Sequence, residues 1–254
     1  MANRLSIAVG ETPTKGAVRR AGEILRKFQL GEVVLDDKSH EQYLDAYGIL
    51  VSFRSLHQYP LIKTTNGVRS AVSAEGCKVE VSQRLKRIPT ILDKLRREPK
   101  MDLSRMQDFG GCRAVLENED EVRRVQERVA ANHKRRYGTD PHIKDYISAP
   151  RETGYRGVHV IVSYDGRLVE VQLRTKVMHE WAITVERFSG QSGVNFKSAE
   201  GPPKVSEFFT LVSELMAIEE MGGTVDEGKL LRLSELRTTA LEFANRGFRD
   251  TEGE

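Results

Sequence analysis

The chain has 254 residues, enough to bury one large core or one core with helical extensions. Charged residues are 30% and aromatics 7%, which excludes a disordered composition, and a net charge of only +3 gives no ground for wholesale nucleic-acid binding. Cys77 and Cys112 have no zinc spacing and make no disulfide framework. No run approaches the ~18 apolar residues of a membrane span and residues 1–16 hold no apolar signal core, so a cytoplasmic chain without membrane contact is expected.

Residues 1–16 are mostly polar, with Gly10, Pro13 and Gly16, and are expected to be poorly ordered. From Ala17 to Phe28 the spacing of Val18, Ala21, Ile24 and Leu25 predicts a helix. A second helix lies within Asp36–Leu56, with Ser39 as its N-cap, and Tyr59-Pro60 breaks the pattern after it. Lys78–Arg87 reads as extended, and Pro89 suits the first turn of a helix to about Arg97. Cys112–Leu116 reads as a buried strand, with Cys112 a small core residue, and Asp120–Asn132 as an amphipathic helix. Val158–Tyr164 and Leu168–Leu173 form a hairpin around Asp165-Gly166. Met178–Phe188 is helical, Ser189–Pro203 is a polar loop, and Val205–Glu220 and Gly228–Arg246 are helices. The stripe Phe208, Leu211, Leu215, Ile218 on the first of these suits oligomerisation or packing against its own domain, with the latter preferred. The plan is α+β: a mixed sheet flanked by helices, with an N-terminal helical segment (1–70), a core (71–188) and a C-terminal helical extension (189–254).

Four clusters carry chemistry. Arg84, Lys86, Arg87, Lys94, Arg96 and Arg97 gather cations that repel one another unless a triphosphate or a solvated face accommodates them. Asp108 precedes Gly110-Gly111, read as a turn that admits a ligand to the backbone, with Arg113 beyond it. Glu170 and Gln172 share one strand face while Val169, Val171 and Leu173 face the core. With Asp108, Glu170 can complete a two-carboxylate Mg²⁺ site. In Gly154-Tyr155-Arg156-Gly157-Val158-His159, Tyr155 can stack on a base and His159 can orient a phosphate or hydroxyl. Each cluster alone also reads as ordinary surface or packing.

In this order, the four stretches resemble the synthetase domain of the RelA/SpoT alarmone enzymes from about Lys78 to Glu186. DYISAPRETGYRGVH followed by VEVQLRTKVMHEWA is the longest match. The resemblance implies a nucleotidyltransferase-like fold that moves the β,γ-pyrophosphate of ATP to the ribose 3′-hydroxyl of GDP or GTP. It implies that Arg84, Lys86, Lys94 and Arg97 bind ATP, that Asp108 and Glu170 hold Mg²⁺, and that Glu170 also acts as base. It further implies that Tyr155 stacks on the acceptor base, that His159 and Gln172 line the acceptor site, and that Arg113 supports it. Long members add hydrolase and regulatory domains for which 254 residues leave no room. A synthetase-only member without product hydrolysis is therefore expected, as a possible homo-oligomer.

Two features depart from the usual small-synthetase pattern. Gly157 stands where Ser is common, and His179, in the acceptor region, stands where small synthetases tend to be acidic. SFRSLHQYPL, LSRMQDFGGCR and HEWAITVE resemble a branch of short members often found as toxins. Some of these pyrophosphorylate the CCA end of tRNA, which implies tRNA and an antitoxin protein as alternative partners. The run His133, Lys134, Arg135, Arg136 would then hold the tRNA backbone, or else simply complement a helix C-terminus. A third reading is a catalytically dead nucleotide-binding module.

Overall fold

The computed structural model describes residues 12–196 and 200–251. Of residues 1–16, expected to be poorly ordered, 1–11 lie outside them, while Lys15 and Gly16 belong to the first turn of a helix. Helix α1 (Lys15–Gln29) starts where the Thr14 hydroxyl accepts the Ala17 amide at 3.2 Å. Helix α2 (Asp37–Ser55) is capped by Asp36, not by Ser39. Ser39 sits one turn in and completes a reciprocal capping box, its amide donating to Asp36 Oδ1 and its hydroxyl accepting the Asp36 amide. Tyr59-Pro60 does not end helical structure: both residues lie in the first turn of α3 (Gln58–Ala74). A missing amide is tolerated there because first-turn N–H groups have no intrahelical acceptor.

After α3 come β1 (Val81–Leu85), α4 (Ile88–Arg97), a single 3-10 turn (Leu103–Arg105) and β2 (Gly110–Leu116). Gly110-Gly111 is thus strand and not turn. Helix α5 (Glu119–Tyr137) runs past the expected Asn132 and ends at Gly138, whose left-handed φ of 73° closes it. Strand β3 (His142–Asp145), which the alternation of so short a run does not reveal, precedes the hairpin β4 (Val158–Tyr164) and β5 (Arg167–Thr175). Asp165 and Gly166 both take positive φ at the hairpin turn, as a two-residue type I′ connection requires. Helices α6 (Lys176–Ser192), α7 (Pro203–Glu220) and α8 (Glu227–Thr251) complete the chain.

Among the described residues one five-stranded sheet forms, in the order β1-β2-β5-β4-β3, with β2 and β5 parallel and the other pairs antiparallel. Its register divides the residues between two faces. Cys112, Ala114, Val158, Val160, Val169, Val171 and Leu173 face α3 and α5 and pack against Val68, Val72, Val122 and Val125. Both cysteines are buried and free. Residue 70 lies within α3, whose Leu61, Val68, Ala71 and Val72 belong to this sheet core. A second core joins α1, α2 and α4 around Leu25, Leu50, Phe53, Leu95 and Phe109. A third joins α6, α7 and α8 around Trp181, Phe196, Val205 and Phe209.

On α7 the buried side runs through Val205, Phe209 and Ser213, displaced from the expected 208/211/215/218 stripe, of which Leu215 alone is buried. The helix packs back on its own domain, and Ser213 occupies a buried position because its hydroxyl has a partner there. Among the described residues no helix is long and apolar enough to cross a membrane.

Candidate active site

The face of the sheet opposite α3 and α5 is polar. Pairing places Arg84, Gly111 and Glu170 in one cross-strand row, and Arg113, Gln172, His159 and Lys144 in the next. Gly111, beside Glu170, has no side chain to fill the space above the sheet. Gly110 points the other way, where an added Cβ would stand 3.4 Å from Leu61 Cβ. Over this face lies a cavity of about 710 Å³ bounded by β1, α4, the loop before β2, the 151–157 turn and α6.

Asp108 is held at the cavity by what surrounds it. Phe109 is fully buried, stacked on His57 at 4.8 Å and edge-on to Phe53 at 5.2 Å, and its carbonyl accepts the Lys86 amide at 2.8 Å. Lys86 and Lys94 converge on the Asp108 carboxylate with Nζ–O distances of 2.9 and 3.2 Å. Burial works against its ionisation, but the two ammonium groups overcome that and hold its carboxyl below the usual carboxylate range. The mutual repulsion expected of the cation cluster is therefore relieved within the protein in part. Asp93 does the same for Arg96 and Arg97, at 3.0 and 2.8 Å.

Glu170 belongs to a closed hydrogen-bonded ring. Its Oε1 meets His159 Nδ1 at 2.9 Å and its Oε2 accepts from Gln172 Nε2 at 2.7 Å. His159 Nε2 meets the Tyr155 hydroxyl at 2.5 Å. Arg174 Nε donates to that hydroxyl at 3.1 Å, and Arg174 Nη2 donates to Gln172 Oε1 at 2.9 Å. Every donor finds an acceptor when His159 is the neutral Nδ1–H tautomer and the Tyr155 O–H points to Nε2. Burial opposes the Glu170 charge, but the bonds from His159 and Gln172, with Lys144 nearby, bring its carboxyl down to about 2. Burial pushes the Tyr155 phenol up, which keeps it protonated as the ring requires.

Most of the expected site residues therefore meet: Arg84, Lys86, Lys94, Arg97, Asp108, Tyr155, His159, Glu170 and Gln172 all line the cavity. Arg113 and His179 do not. Arg113 shares the row of Gln172 and His159, its Nε buried without a hydrogen bond among the described residues, and burial with Arg174 and Arg84 nearby depresses its pKa. His179, on α6, has a buried Nδ1 without a partner among the described residues, and burial, Arg113 and Arg174 lower its pKa. The cavity also gathers Arg174, Lys144 and Arg151, which sequence reasoning passed over. Arg174 follows Glu170 and Gln172 at the same period of two, so alternation carried that signal. Lys144 lies on the unforeseen strand β3, and Arg151 reaches the site by lying over the Tyr146 ring at 4.3 Å.

The basic run His133–Arg136 forms the last turn of α5, the helix that covers the opposite face of the sheet. His133 is buried, and Lys134 pairs with Asp140 at 3.1 Å. It does not adjoin the cavity.

Two ionised carboxylates, Asp108 and Glu170, open onto one cavity rich in cations. Among the described residues no three His, Cys, Asp or Glu side chains gather as a metal site. The donor set fits a hard divalent cation that completes its shell with phosphate oxygens and water, as Mg²⁺ does.

Comparison with known proteins agrees with this geometry. Residues 83–187 match the region found in RelA/SpoT proteins. The GTP pyrophosphokinase YjbM of Bacillus subtilis is 30% identical over 214 residues, covering 77% of this chain and 94% of that protein. This chain belongs to the RelA/SpoT family. A GTP pyrophosphokinase of Escherichia coli is 33% identical over 119 residues, 44% of this chain but 15% of that much longer protein. Among solved structures, small alarmone synthetase 1 from Bacillus subtilis bound to its product pppGpp superposes with a TM-score of 0.53 at 25% identity, over 76% of this chain and 96% of that one. The RelA/SpoT match spans β1 to α6, the stretch that builds the sheet and the cavity.

Proposed function

We propose that this RelA/SpoT protein is a small alarmone synthetase that transfers the β,γ-pyrophosphate of ATP to the ribose 3′-hydroxyl of GDP or GTP and releases AMP. The single observation that carries the reading is the gathering of two ionised carboxylates and a cluster of cations in one cavity, in a chain similar over most of its length to a GTP pyrophosphokinase. ATP would lie along Arg84, Lys86, Lys94 and Arg97, where guanidinium forks and ammonium charges meet phosphate oxygens. The acceptor would lie toward Tyr155, His159 and Gln172. Asp108 and Glu170 are the residues to hold Mg²⁺, which when bound neutralises charge on the phosphate oxygens.

The reaction needs positioning and charge neutralisation more than covalent chemistry. The acceptor hydroxyl oxygen forms a bond to the β-phosphorus, the bond from that phosphorus to the α,β-bridging oxygen breaks, and AMP leaves with the bridging oxygen. Glu170 takes up the hydroxyl proton as that bond forms. A carboxyl held at about 2 does not store a proton at neutral pH, so the proton passes on to solvent or to departing phosphate. His159 and Gln172 fix both Glu170 oxygens, so the carboxylate meets the hydroxyl in one orientation. Guanine nucleotide is preferred to tRNA as acceptor because the basic run that would hold a tRNA backbone lies behind the sheet. Release of AMP from ATP that depends on added GDP or GTP tests this reading; release that ignores both would defeat it.

A further inference from the structure

The turn that carries Tyr155 is gripped from outside the sheet domain. The Thr210 hydroxyl shares its one proton between the Glu152 carbonyl and the Ser206 carbonyl of its own helix, each at 3.1 Å, and Ser213 Oγ donates to the Gly154 carbonyl at 2.5 Å. Arg156 reaches Glu220 at 3.4 Å, with both side chains nearly buried. All three partners lie on α7. At Gly154 the backbone takes φ +83°, and an added Cβ would stand 2.9 Å from Thr210 Cα, so the turn lies directly on the helix. Trp181 joins the two, its indole N–H donating to the Phe209 carbonyl at 2.9 Å and its ring centroid 6.4 Å from that of Tyr155. Helix α8 braces α7 from behind through Arg232, which takes both Glu207 oxygens at 2.9 Å.

Packing alone does not require these groups. Ser213 puts a polar hydroxyl into the apolar stripe of α7, where its partner is the Gly154 carbonyl of the turn. The Arg156–Glu220 pair leaves Glu220 Oε1 buried without a hydrogen bond among the described residues, which is costly for stability. What the three contacts do accomplish is geometric. They fix the Glu152–Arg156 backbone at one end of Tyr155, while His159 and Arg174 fix its hydroxyl at the other.

We infer that α7 is a working part of the acceptor site, with Thr210, Ser213 and Glu220 as positioning residues that set the Tyr155 ring for the acceptor base. This rests on the acceptor assignment proposed above. The C-terminal helices thereby govern the acceptor half of the cavity and leave the ATP half, built on β1 and α4, untouched.

The chain's one tryptophan, Trp181, sits at the junction and reads binding without turnover. GDP and ATP would each be titrated against the wild type, Ser213→Ala and Glu220→Gln by Trp181 fluorescence, with Mg²⁺ present. KM for each substrate would be measured alongside. The expected result for Ser213→Ala is GDP binding and acceptor KM weaker by about tenfold, the size of one lost hydrogen bond to a buried carbonyl, with ATP binding and kcat within about twofold. Glu220→Gln, which keeps a hydrogen-bonding group, should fall between Ser213→Ala and the wild type. Equal weakening of GDP and ATP, or none of either, overturns the inference, as does a wild type that binds ATP and no guanine nucleotide. A wild type that binds GDP yet transfers nothing to it would defeat the proposed reaction, while the binding comparison would still decide the role of α7.

Discussion

Glu170 is the residue at which most contacts converge. Its two oxygens accept from His159 and Gln172, so replacing it with glutamine removes the charge and sets one amide N–H against a donor of the ring. Glu170→Gln should lower transfer by at least about a hundredfold, the range for loss of a positioned base, while the variant still unfolds in one cooperative transition at a somewhat lower midpoint. Labelled product formation and a melting curve on the same sample check this, and brisk turnover by the variant would remove Glu170 from the chemistry. Asp108 differs in kind, since its partners Lys86 and Lys94 would be left as unpaired cations in Asp108→Asn. That variant should require markedly more Mg²⁺ for half-maximal rate, and an unchanged requirement would argue that Asp108 serves only to hold the lysines.

At the scale of elements, the Asp108 loop rests on His57, whose imidazole is buried, bonded to the Phe53 carbonyl at 2.9 Å and stacked on Phe109. Burial pushes its pKa from 6.5 to about 4. The unfolded chain therefore binds a proton below 6.5 that the folded chain refuses until about 4, and stability declines as pH falls through that window. One proton gives a slope of at most about 1.4 kcal/mol per pH unit. Urea unfolding at pH 7.5, 6 and 5 should show a shallower decline for His57→Gln than for the wild type, and identical slopes would contradict the assignment.

Helix α1 docks on the 3-10 turn through Gly22, where an added Cβ would stand 2.6 Å from Leu103 Cβ. Gly22→Ala should destabilise by about 1–3 kcal/mol in the same unfolding assay, the cost of overpacking a tight contact.

These elements also show what the sequence made legible. The hairpin β4–β5 and the shared face of Glu170 and Gln172 followed from alternation and a two-residue turn, both local signals. Strand β3 did not, because four residues between a loop and a long turn carry too little period. Pro60 misled because its effect depends on its place within a helix. Alternation puts Arg174 on the site face, but that its guanidinium reaches both Tyr155 and Gln172 is a side-chain placement that strand period does not encode. Arg113 and His179, assigned by motif position, do not line the cavity, because motif order fixes neighbourhood but not side-chain reach.

For the whole molecule, the sheet separates two functions. Its α3–α5 face is the core that makes the strands rigid, and its open face is the cavity. The N-terminal helices support Asp108 from one side and the C-terminal helices support Tyr155 from the other, so each extension holds one half of the site. Such a construction suits two nucleotides brought together in fixed geometry, where most of the rate comes from orientation.

The most direct test offers γ-labelled ATP and Mg²⁺ to the purified protein with GDP, GTP and bulk tRNA in separate reactions. Label should pass to GDP or GTP as a tetra- or pentaphosphate, with AMP released in step. Label on tRNA and none on guanine nucleotides would contradict the account at its centre.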